Sequence, residues 1–138
     1  MGVIIINSYV LGNPPLALSI SDPSTVNPIE ITGSPSTTAT TSAGLIISNA
    51  TPTGGDGSYS YSWALSEVMD MGNNFSVHSQ GAATASQTFD TSRITGTTPA
   101  SPLDPPNSAV YRIACTVTDG TGATISAQVD FPVDAFAL

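Results

Sequence analysis

Hydrophobic residues in this chain recur at every second position, in short runs separated by clusters of Gly, Pro, Asp, Asn and Ser. Successive side chains leave a strand on opposite faces, so period-two alternation marks a strand with one buried face. In "SYSYSW", Tyr59, Tyr61 and Trp63 share one face while Ser58, Ser60 and Ser62 share the other. Further on, Tyr111, Ile113, Cys115 and Val117 alternate with Arg112, Ala114, Thr116 and Thr118. "DGTG" then turns the chain, and Ile125, Ala127, Val129, Phe131 and Val133 alternate again, which predicts a hairpin. Earlier strands are predicted in "LALSIS", in "PIEIT" with Ile29 and Ile31, and in "GLIIS" with Leu45 and Ile47. "FSVHSQ" and "ASQTFDT" carry weaker strand patterns. Asp22-Pro23 and "PTGGDG" at 52–57 read as turns, and 95–108 as a long loop. "SEVMDMG" offers at most one helical turn, and no stretch sustains a 3.6-residue period.

Seven to eight short strands with alternating faces predict an all-β, two-sheet sandwich. It occupies residues 16–138, and residues 1–15 form an N-terminal arm that Pro14 and Pro15 set apart. The arm contains an uninterrupted apolar run, Val3, Ile4, Ile5 and Ile6. A strand with one wet face would alternate, so this run implies burial on both faces. Left exposed, it would recruit other strands. Two readings stay open: contact with a neighbouring protein copy or other partner through strand addition, or an extra strand on its own sheet.

The stretches "GGDGSYSYSWAL" and "AVYRIACTVTDGTGATISAQVDFPV" together resemble PKD-type and related bacterial immunoglobulin-like domains. The shared pattern is a glycine turn, Y-x-Y-x-W, then a tyrosine-led alternating strand closing in V-x-D-x-x-G, and a final alternating strand. The resemblance covers residues 38–133 and departs from the pattern between Glu67 and Asn107, where the loops are long. It implies an immunoglobulin-like sandwich with Trp63 between the sheets and Tyr111 at the position of a tyrosine corner. Tyr111, Ile113 and Val117 then face the same core as Trp63, and Ile47 and Ile113 stand where antibody domains place a disulfide. Divergent domains of this kind are similar to small immunoglobulin-like proteins among phage structural genes.

Charge narrows the range of partners. The 138 residues carry a formal net charge of −8, with Arg93 and Arg112 the only basic residues and no lysine. Binding phosphates by counterion release needs several cations, so neither nucleic acid nor an anionic membrane is expected as a partner. No run approaches the roughly 20 apolar residues of a membrane-spanning helix. "MGVIIINSYVLG" lacks the positive flank of a secretory signal, so cytoplasmic synthesis is expected.

Candidate chemistry is sparse. Cys115 is the single cysteine and lies in an alternating run, as a small core hydrophobe would. His78 is the single histidine, and no nucleophile motif accompanies it. One His and one Cys do not make a zinc site. Asp56 and Asp119 sit in glycine turns, where Asp normally bonds its own backbone. Neither "DGTG" nor "DMGNN" matches a calcium loop. Glu67, Asp70 and Asp90 would need a cleft to gather them for glycoside chemistry. Asn49 and Asn74 head N-x-S/T triplets, which a Ser/Thr-rich chain produces by chance. No catalytic residue, metal or cofactor is expected.

The expectation is a non-enzymatic virion structural protein, an immunoglobulin-like decoration or accessory protein of a phage head or tail. Its expected partners are other virion proteins and copies of itself, and its location the virion. The alternative is an adhesive or carbohydrate-binding module of a secreted bacterial protein.

Overall fold

The computed structural model describes residues 12–21, 29–40, 46–77, 84–89 and 94–138. Among them are ten strands and no helix. In chain order they are β1 (Ala17–Ile20), β2 (Ile29–Gly33), β3 (Thr38–Thr40), β4 (Ile46–Thr53) and β5 (Tyr59–Asp70), then β6 (Phe75–Val77), β7 (Ser86–Phe89), β8 (Ile94–Thr97), β9 (Asn107–Asp119) and β10 (Thr124–Ala137). They form a four-stranded sheet, β2-β10-β9-β5, and two three-stranded sheets, β1-β4-β7 and β3-β8-β6. β2 runs parallel to β10, and every other pairing is antiparallel. This all-β architecture is consistent with a β-sandwich.

The four-stranded sheet follows from the alternation in β5, β9 and β10. Its register sets Tyr61, Val117 and Ile125 in one row, Trp63, Cys115 and Ala127 in the next, and Leu65, Ile113 and Val129 in the third. The second row places the largest side chain beside two small ones, which leaves room for the indole across the sheet. Trp63 is 3% exposed, and Tyr111, Ile113, Cys115 and Val117 are fully buried. The Trp63 indole N–H donates to the Thr84 carbonyl at 2.8 Å, so its one polar atom is satisfied. Ala50 of β4 belongs to the same core, with Leu18 and Ile20 of β1 packed against it.

Three expectations are corrected. "SEVMDMG" is not helical: β5 continues through it to Asp70, with a bulge between Glu67 and Met69. Loop 95–108 begins later, because Ile94–Thr97 is a strand flanked by β3 and β6. A third small sheet therefore joins the predicted two. A Cβ on Gly96 would lie 2.8 Å from Phe75 Cε1 and 3.1 Å from Ile31 Cδ1. The missing side chain lets the β6 ring lie over β8. A strand whose inward positions are Ile94 and a glycine shows little apolar alternation, so the sequence hides it.

The tyrosine corner is also revised. Tyr111 is buried and stacked on Phe131, with ring centroids 6.2 Å apart and planes at 29°. Its hydroxyl has no hydrogen-bond partner among the described residues. Tyr111 therefore acts as a core aromatic rather than as a backbone clamp. Burial, and then the charges of Glu67 and Asp70, hold its pKa well above the ordinary tyrosine range.

Candidate interaction surface

The long strands of the central sheet give the domain two poles of opposite character. At one pole the β4–β5 turn, the β9–β10 turn and Pro14-Pro15 meet. Gly54 has φ +73°, and a Cβ there would fall 1.9 Å from the Pro15 carbonyl oxygen. Only glycine permits that approach. Gly55 N–H donates to the Pro14 carbonyl at 2.8 Å, and the Tyr59 hydroxyl donates to the Gly54 carbonyl at 2.6 Å.

Carboxylates tie the two turns together. Asp56 Oδ1 accepts from the N–H groups of Ser58 at 2.9 Å and Gly120 at 3.0 Å. Asp119 Oδ1 accepts from the Thr121 hydroxyl at 2.6 Å and from the N–H groups of Thr121 and Ala123 at 2.9 and 3.0 Å. The Thr121 hydroxyl first, with the backbone donors behind it, holds the Asp119 pKa below the ordinary carboxylate range. These acids staple backbone, as turn aspartates do. A shallow cleft of about 230 Å³ beside them is lined by Ser58, Tyr59, Ser60, Thr118, Asp119 and Gly120. Among the described residues no imidazole or amine lines it to activate either serine. Among the described residues no three His, Cys, Asp or Glu side chains gather as a metal site.

The outward face of the central sheet is small and polar. Ser62, Ala64 and Ser66 of β5 stand beside Thr116, Ala114 and Arg112 of β9. Arg112 forms a two-pronged ion pair with Asp130, Nε to Oδ1 at 2.7 Å and Nη2 to Oδ2 at 3.0 Å. That hydrogen-bonded guanidinium draws the Asp130 pKa down. Arg112 is the one Lys or Arg among the described residues, and it is engaged with Asp130.

The opposite pole carries the exposed apolar side chains. The large hydrophobic side chains exposed among the described residues are Val68 (45%), Met69 (50%), Met71 (67%), Leu103 (94%) and Leu138 (74%). The ends of β5 and β10 and the loop before β9 carry all five to one end of the sheet. Met69 and Asp70 pair with Val110 and Ala109, and Asn107, where β9 begins, pairs with Ala135. Leu138 N–H donates to the Gly33 carbonyl at 2.8 Å, next to the loop that carries Leu103. The pole is firmly framed. Asp70 caps the β5–β6 turn by accepting from Asn74 N–H at 3.0 Å and Phe75 N–H at 2.8 Å. The buried Thr98 hydroxyl donates to the Ser34 carbonyl at 2.5 Å and accepts from Thr37 N–H at 3.0 Å. Apolar side chains gathered at one framed end make this pole a candidate contact surface.

The sequence-predicted residues divide cleanly. Trp63, Tyr111, Ile113 and Val117 converge in the core. Cys115 joins them, and burial pushes its thiol up to about 11. Val3, Ile4, Ile5 and Ile6 lie outside the described residues, as do His78, Asp90 and Arg93. Tyr59 and Tyr61 are half-buried against the core. Sequence reasoning missed Met69, Met71, Leu103 and Leu138. The faint signal for them was the interruption of alternation at "EVMDM", where a strand face turns apolar without an inward side. Comparison with protein families, curated proteins and solved structures finds no match.

Proposed function

We propose that this chain is a non-enzymatic structural protein of a phage virion, an immunoglobulin-like decoration or accessory protein of the head or tail that works through protein–protein contacts. The observation that carries the reading is the apolar pole. The prominently exposed hydrophobics stand together there, while the polar pole uses its carboxylates on its own backbone. Such a molecule is equipped to dock.

The immunoglobulin-like reading draws support from strand order. The first two strands divide between sheets, β1 pairing antiparallel with β4 and β2 parallel with the last strand, β10. Taken as strands A, B and E and strands C, F and G, the β1-β4-β7 and β5-β9-β10 groups match the two sheets of an immunoglobulin-like sandwich, and Trp63 sits on the strand expected to carry the core tryptophan. The phage assignment draws support from the "YSYSW" and "YRIACTVTDG" resemblance, and from a charge pattern that favours neither nucleic acid nor membrane. Fold alone does not decide function. Quantitative mass spectrometry of phage particles purified from cells that produce the chain tests the assignment. The expected result is a fixed copy number relative to the main structural protein. A chain left wholly in the soluble fraction contradicts it.

A further inference from the structure

The apolar pole needs an occupant, and the chain itself carries a fitting one. We propose that the Val3–Ile6 segment of one copy covers the Met69, Met71, Leu103 and Leu138 pole of the next, joining copies head to tail. This rests on the reading of the chain as an assembly protein and names the partner of its contact surface.

Geometry separates the segment from its own pole. The chain enters at Pro14 and Pro15, against Gly54 and Gly55, and a Cβ on Gly55 would meet Asp119 at 2.6 Å. The apolar pole begins ten residues away along β9, at the level of Ala109, where Asp70 pairs. At ~3.4 Å per residue the two are ~34 Å apart. From Pro14, where the chain meets Gly55, back to Ile6 is eight residues. Even fully extended they span only ~28 Å. Ile6 therefore falls short of its own pole, so that Val3–Ile6 cannot lie across it, while the pole of a second copy is within reach.

Size and charge fit the same occupant. Met71 and Leu138 stand at the ends of β5 and β10, two strand spacings of ~4.8 Å apart across the sheet, and Leu138 lies four residues, ~14 Å, further along the strands. A four-residue extended run covers ~13 Å. With a net charge of −8, two whole faces brought together would repel, and Glu67, Asp70 and Asp104 lie at the pole itself. Residues 1–21 contain no charged side chain. An uncharged β-branched segment can approach where an acidic surface cannot, and two methionines offer an adaptable surface to receive it.

Sedimentation velocity of the full chain over a concentration series tests the proposal. Wild-type protein should form oligomers that lengthen with concentration. Met71→Lys/Leu103→Lys and Ile4→Asp/Ile5→Asp should each weaken association at least tenfold; their thermal midpoints, read at dilutions where every chain is monomeric, should be unchanged. Mixed in equal amounts, the two variants should form a 1:1 heterodimer and nothing larger, because each retains the half that the other lacks. No heterodimer on mixing overturns the proposal. So does a wild-type chain that stays monomeric, or association lost in the pole variant but kept in the segment variant, which would mean two poles meet directly. A lowered melting point for Ile4→Asp/Ile5→Asp also overturns it, because the segment would then belong to its own domain. These outcomes concern self-association alone, and the particle measurement decides the virion reading separately.

Discussion

Replacing Trp63 with alanine tests whether the central sheet is sealed as its register implies. The indole is 3% exposed, in the row with Cys115 and Ala127. Neither neighbour is long enough to fill the space it would vacate. Loss of a buried Trp to Ala costs about 3–5 kcal/mol when the surroundings relax only in part. The Thr84 carbonyl also loses the 2.8 Å indole donor, a hydrogen bond worth about 1 kcal/mol net. The expected loss therefore lies near 5 kcal/mol, a large share of the roughly 5–15 kcal/mol that holds a domain folded. Urea unfolding followed by far-UV circular dichroism measures it, provided the slope with denaturant is unchanged. Trp63→Phe should recover well over half the loss, because it restores the ring and not the N–H. A Trp63→Ala protein within about 1 kcal/mol of wild type would refute the packing account, since so small a loss is typical of a surface site.

Three further outcomes follow from individual contacts. Gly54→Ala should cost about 2–4 kcal/mol, from a left-handed backbone that disfavours a Cβ and a collision with Pro15, read by the same urea titration. Asp119 has a depressed pKa in the folded state, so its contribution is present above the unfolded value of about 3.9 and is lost as pH falls through the folded value. Asp119→Asn should flatten the acid limb of a melting-temperature profile below about pH 4, and an unaltered limb would count against the turn geometry. Cys115, raised to about 11, should resist thiol reagents at pH 8 in the native protein and react promptly in urea, as assayed by thiol titration.

The sequence revealed the parts of the fold whose stability comes from alternation. β9 and β10 were readable because every second side chain meets the core from Ala109 to Val117 and from Phe131 to Ala137. Where another force builds the element, the pattern falls silent. β8 is held by the β3 and β6 ladders and by a glycine that admits Phe75, none of which shows as periodicity. "SEVMD" has adjacent apolar residues and no strand alternation, which leaves room for at most one helical turn. Pairing with β9 across a bulge extends it instead, as tertiary context overrides a short local preference. The turn roles of Asp56 and Asp119 were legible because Asp beside glycine has a local mechanism. The apolar pole was not, because it collects residues from β5, a loop and the C-terminal end that only the folded topology brings to one end of the sheet.

On the proposed reading, this domain works by docking its apolar end on a protein neighbour. Cryo-electron microscopy of particles produced with and without the chain tests it most directly. The expected difference map shows density of domain size at regularly repeated positions, with the Met71 and Leu103 pole turned into a neighbouring subunit. Identical maps, or density whose Met71 and Leu103 pole faces solvent, would contradict the account.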